Sequence, residues 1–189
     1  MCNAEEVAEE SPITFKSVAE AVTFADGLLI GDSDKVKGVL TPGKPGKVPL
    51  SELRDIASTI SVEAARIKFP AGHLFRFVHG RYTHTLDLAD HLAHRVWNGP
   101  GDGPVASRKT IAMCRQLANI GMLDFRQREQ HGRGFPTEQV AKAMNARSRQ
   151  QFYEQWAVEN SAIRAAISQL LKQAEAELEI PLRRLGVLE

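Results

Sequence analysis

The sequence predicts a mostly α-helical chain. Two stretches carry that prediction most strongly, Thr85–Val96 and Arg147–Leu178, because their apolar residues return every three or four positions. A third observation is where helix must stop: Gly- and Pro-rich runs at 31–50 and 98–103 separate the periodic segments. With 189 residues, 43% of them apolar, the chain is large enough for a buried core. Its longest apolar run, around Leu28-Leu29-Ile30, falls far short of the roughly 20 residues of a membrane span.

Taken in order, residues 1–11 form an acidic tail with Glu5, Glu6, Glu9 and Glu10, expected to be disordered and lacking the layout of a secretory signal. N-terminal helices are expected across 12–70. From Phe15 to Ile30, Val18, Ala21, Val22, Ala25 and Leu29 share one side. The loop at 31–50 carries Lys35, Lys37, Lys44 and Lys47 and reads as a solvated connector. Pro49-Leu50-Ser51 then opens a helix through Leu53, Ile56, Ala57 and Ile60. Pro70 interrupts the next stretch, and a further helix is expected from Ala71 to about Arg81. Thr85 suits an N-cap, ahead of a stripe of Leu86, Ala89, Leu92, Ala93 and Val96.

Charge is divided along the chain. Residues 105–149 hold nine Lys or Arg against three acids, whereas residues 1–34 hold eight acids against Lys16 alone. The formal charge of +1 for the whole chain hides one basic region and one acidic one. Within the basic region, Ser107 suits an N-cap and Gly121 suits the position after a helix end, which predicts a helix from Arg108 to Ile120. At about 100° per residue, Arg108, Ala112, Arg115, Gln116 and Asn119 fall in one arc of roughly 100°. Arginine reads guanine and amides read adenine in the major groove, and Arg108 and Lys109 stand at the helix start. Beyond Gly121, Met122–Glu129 reads as a strand, and Gln130-His131-Gly132-Arg133-Gly134 as a turn. Pro136-Thr137-Glu138 fits either a returning strand or a helix start.

This segment, about residues 71–140, resembles the winged helix-turn-helix DNA-binding domains of bacterial, phage and plasmid regulators. Leu86–Ala93 is similar to the positioning helix, Ser107-Arg108-Lys109-Thr110-Ile111 to the start of the recognition helix, and His131-Gly132-Arg133-Gly134 to the tip of a small β-wing. The turn between Val96 and Val105 is longer than the family's. The resemblance implies that Ser107, Arg108, Lys109, Ala112, Arg115, Gln116 and Asn119 face the duplex. It implies that Arg126, Arg128 and Arg133 hold its backbone, with His131 also contacting DNA from the wing tip.

The C-terminal region, 141–189, is expected to be one long helix whose stripe of Phe152, Trp156, Ile163, Ile167, Leu170 and Leu178 serves dimerisation. The alternative is that this stripe packs inside its own chain. A homodimer suits the reading of two half-sites.

Chemistry-bearing patterns are sparse. Asp87, His91 and His94 share a helix face at a spacing metal ligands use, but exposed histidines at that spacing are common, and no metal or cofactor is expected. No phosphate-cradling glycine loop, Gly-x-Ser-x-Gly or His-Glu-x-x-His occurs, so no enzyme is expected. Cys2 and Cys114 cannot build a disulfide framework, in keeping with a cytoplasmic protein. The expected function is sequence-specific binding of double-stranded DNA by a dimeric transcriptional regulator. A replication, partition or packaging accessory factor stays open, as does a protein-interaction module that meets its partner through the acidic N-terminus.

Overall fold

The computed structural model describes residues 13–31, 49–80, 82–97 and 110–189. Among these the chain is mostly α: α1 (Val18–Ile30), α2 (Leu50–Arg66), α3 (Ala71–His79), α4 (Leu86–Trp97), α5 (Ile111–His131), α6 (Thr137–Ala143) and α7 (Arg149–Arg184). The acidic tail, most of the 31–50 loop and the turn after Asn98 lie outside the described residues.

Two compact units divide the chain, and each is discontinuous or internal in sequence: residues 1–67 with 174–189, and residues 68–173. At 36 residues, α7 is about 54 Å long and contributes to both.

In the first unit α1 packs on α2. Ser17 caps α1 by accepting from the Glu20 N–H at 3.1 Å, and Gly31 ends it in the left-handed region. Phe15, buried against Phe24 with ring centroids 5.0 Å apart, pairs with the C-terminal end of the chain through a parallel bridge to Leu188. Its N–H donates to the Val187 carbonyl at 2.8 Å. Ile60 of α2 and Leu178 and Leu182 of α7 are among the other buried residues of this unit.

In the second unit α5 is central, with α3 and α4 packed on it. Thr110 caps it, accepting from the Met113 N–H at 3.3 Å. Cys114, Leu117, Ala118 and Met122 form its buried stripe. The spacing of that stripe continues through Gly121, and so does the helix.

The expected small β-wing is therefore corrected. Residues 122–131 are the second half of α5, no strand runs through 122–135, and the only β feature among the described residues is the Phe15–Leu188 bridge. Two glycines explain the difference. Gly121 lies inside the helix, where a Cβ would stand 3.0 Å from Ile163 Cγ2 and 3.3 Å from Ile167 Cδ1 of α7. A helical glycine costs about 1 kcal/mol relative to alanine, and here it admits a neighbouring helix at close range. The helix ends instead at Gly132, with φ of 70° and its N–H donating to the Arg128 carbonyl at 2.8 Å. The expected wing tip is thus a helix cap. Pro136-Thr137-Glu138 starts α6.

Gly132→Ala is expected to cost about 1 kcal/mol in urea unfolding, because alanine must enter the left-handed region, with Gly132→Asn costing less. Equal stability of Gly132→Ala and wild type would show that the cap tolerates a side chain.

The stripe assigned to dimerisation is placed inside the chain. Phe152, Trp156, Ile163, Ile167, Leu170 and Leu178 are all buried. Their period of three to four residues spans the inward face of α7, and burial within the monomer removes them from a surface that a second copy can touch.

Candidate nucleic-acid interface

Charge follows the structural division. Residues 68–173 carry fifteen Lys or Arg against eight Asp or Glu, a surplus of seven, while the rest of the chain carries nine against fifteen. All six histidines also fall in 68–173.

The residues expected to face the duplex divide between described and undescribed parts of the chain. Ser107, Arg108 and Lys109 lie outside the described residues. Ala112, Arg115, Gln116 and Asn119 are all exposed on α5, as the helical wheel requires. Their strip is bounded on both sides. Arg115 Nε pairs with Asp90 of α4, with both side chains more than a third exposed. Gln116 Nε2 donates to the Ala143 carbonyl of α6 at 2.5 Å.

The residues expected to hold the DNA backbone or contact DNA from the wing tip separate into two groups. His131, the last residue of α5, and Arg133 are exposed. Arg126 and Arg128 make contacts within the same unit. The Arg126 guanidinium lies 5.1 Å over the Phe77 ring of α3, and its Nη2 donates to the Gly80 carbonyl at 3.4 Å. Arg128 Nε donates to Asp124 at 2.9 Å. On a helix in place of the expected wing, both arginines reach neighbours in the same unit, while half of the Arg128 side chain stays exposed.

Asp124 itself went unread in the sequence. It is fully buried and accepts three hydrogen bonds: Arg128 at 2.9 Å, Arg164 of α7 at 2.8 Å and the Phe135 N–H at 2.6 Å. Burial, the largest influence, pushes its carboxyl up. The hydrogen bonds from Arg128 and Phe135 and the charge of Arg164 together outweigh it and leave the group below its ordinary value. A lone aspartate at a position where the stripe expects an apolar residue was the available signal.

Two further features were outside the expected site. A groove of about 230 Å³ between α5 and α6 is lined by Ile120, Leu123, Phe135, Gln139, Val140 and Ala143. It holds no titratable side chain and so offers no acid or base. The histidine-rich stretch forms ring contacts rather than a ligand set. Phe69 meets His73 and His91 edge-on, with centroids 5.4 and 5.5 Å away. Tyr82 lies 4.9 Å from His73, and its hydroxyl and His73 Nδ1 share a hydrogen bond of 3.1 Å. Burial, with help from Arg76 and against Asp87, lowers the pKa of His73. Burial, with Arg95 and His94, lowers that of His91. Among the described residues no group of three or more His, Cys, Asp or Glu is arranged to hold a metal.

Among the described residues no helix is long and apolar enough to cross a membrane. Comparison of the chain with models of protein families, with curated proteins and with solved structures gave no match.

Proposed function

We propose that residues 68–173 bind double-stranded DNA, with the exposed strip of α5 against the duplex, and that the protein regulates transcription in the cytoplasm as a homodimer. The observation that carries this reading is the coincidence of the charge division with the structural one: the surplus of seven positive charges belongs to one compact unit. A duplex carries one phosphate charge about every 1.7 Å, so a unit of that sign gains affinity by releasing its counterions. The Arg115–Asp90 pair is no obstacle. A solvent-exposed bridge is worth about 0–1 kcal/mol, little enough for a guanine edge or a phosphate to displace Asp90. A second copy would join through a surface other than the buried face of α7.

Fluorescence anisotropy of a labelled duplex, the gene's own upstream region against random sequence, tests this across a salt series. Tighter binding to the upstream duplex is expected, with affinity falling by a log–log slope of about 0.9 per phosphate contacted. Absence of binding to both duplexes at low salt overturns the reading. Arg115→Ala is expected to cost about 1–3 kcal/mol on the preferred site and little on random DNA. Equal loss on both would reduce Arg115 to a phosphate contact.

A further inference from the structure

The rings around Phe69 form a connected row. From one end it runs His91, Phe69, His73, Tyr82 and His84, with neighbouring centroids 5.5, 5.4, 4.9 and 5.8 Å apart. Separate pieces of chain supply it: the residue before Pro70, the start of α3, and the segment 82–84 that leads to α4, with His91 on α4 itself. A single exposed phenylalanine needs no explanation. Here Phe69 leaves 43% of its surface open, in contact with two imidazoles, and His84 at the far end is exposed.

The charges around the row decide which ligand fits it. Lys68 is exposed and adjacent to Phe69 in sequence. The Arg76 guanidinium sits 5.0 Å over the Tyr82 ring, held there as its Nε donates to the Gly72 carbonyl at 3.4 Å. Asp87, exposed at the start of α4, supplies the opposing charge felt at His73. Lys68, Arg76 and Arg95, the last close enough to His91 to help lower its pKa, outnumber Asp87 and disfavour a cationic guest such as a methylated ammonium, which aromatic cages otherwise take. Burial lowers the pKa of both His73 and His91, so neither adds positive charge to the row near pH 7. A ligand with a flat apolar face and a negative charge beside it is a nucleotide. In a paired duplex that face is already stacked; in an unpaired strand it is open.

We infer that this row is a stacking platform for unpaired bases of single-stranded DNA through its two exposed rings, Phe69 and His84, which His73, Tyr82 and His91 hold in place through edge-on and tilted contacts, with Lys68 and Arg76 meeting the neighbouring phosphates. The platform rests on the DNA-binding reading and extends it: the same basic unit that holds a duplex along α5 also receives an opened strand. Stacking on aromatic side chains tolerates any base, because every base has a π-face, so the platform adds affinity without sequence preference.

Three labelled 20-mers test the inference by anisotropy with the full chain: single-stranded oligothymidine, an abasic strand with the same phosphates, and a duplex. The wild type is expected to bind oligothymidine at least about fivefold more tightly than the abasic strand. Phe69→Leu keeps apolar bulk and removes the ring, while His84→Ala alters only an exposed side chain. Each is expected to bring that ratio toward one without changing duplex affinity. Circular dichroism melts confirm that both variants fold. Tight duplex binding with a wild-type ratio of one overturns the platform and leaves the duplex reading standing. Base-dependent binding of the single strand without duplex binding supports the platform and overturns the duplex reading. No binding to any of the three overturns both. A ratio unchanged in both variants removes these residues from the site.

Discussion

Replacing Asp124 with alanine is expected to destabilise the protein by about 2–3 kcal/mol, the upper part of the range for leaving the partners of a buried hydrogen-bonding group unsatisfied. The carboxylate is fully buried and is the common acceptor for Arg128, Arg164 and the Phe135 N–H. It joins α5 to α7 and to the chain just ahead of α6. Removing it takes the shared counter-charge from the partly exposed Arg128 and Arg164 guanidinium groups and leaves one backbone donor unsatisfied. Asp124→Asn is expected to be nearly as damaging, because it keeps the shape and loses the charge that both arginines need. The pH dependence has a definite sign. Because the folded-state pKa lies below the ordinary 3.8, the stabilisation is complete above about pH 4 and is lost as pH falls through the folded value. Urea unfolding at pH 7 measures the first effect, and repetition between about pH 5 and 2 the second. A loss under about 1 kcal/mol for Asp124→Ala would mean that both arginines swing into water.

Acidification from pH 7 to 4.5 is expected to remove a further 2–3 kcal/mol, roughly, in a separate window governed mainly by His79. Burial pushes this imidazole from 6.5 down to about 4, and its ring packs 4.5 Å from that of Phe75. Below pH 6.5 the unfolded chain binds a proton that the folded chain refuses until about pH 4. Stability therefore falls as pH falls between those limits and levels beneath them. His73 and His91 shift in the same direction, so the informative quantity is the difference between wild type and His79→Gln. His79→Gln is expected to flatten most of the slope between about pH 6.5 and 4.5 while leaving the Asp124 transition below about pH 4 in place. An unchanged slope would assign the effect to the other histidines.

The helices were legible where periodicity and punctuation agreed. Pro49, Pro70 and Thr85 stand immediately ahead of α2, α3 and α4, and the long repeat from Arg147 onward became α7. Individual faces were less legible. Leu29 and Leu86 fit their stripes by spacing yet are 45% and 75% exposed, while Phe24 and Leu88 are buried in their place. Spacing defines a direction to within about one position, and the neighbour that packs there selects which residue faces inward. On α5 the exposed arc of Ala112, Arg115, Gln116 and Asn119 followed from the wheel, because an arc rich in amides and charge is not buried without partners.

Sequence alone was enough to establish that the chain is mostly helical, where several helices begin, which residues of the first half of α5 meet water, and that one region is basic and another acidic. Packing between distant segments settled the rest. Gly121 carries the same local signal whether it ends a helix or lies inside one. Only the close approach of Ile163 and Ile167 makes it interior, and the helix then runs on to its end at Gly132. The same shift turned an expected wing into a helix and gave Arg126 and Arg128 to Phe77 and Asp124. The stripe of α7 was equally plain in the sequence, yet its spacing is the same whether its partner is another copy or the rest of its own chain. Local sequence encodes propensity and amphipathic direction; the identity of the surface that a face meets is a long-range property, set when helices far apart in sequence pack together.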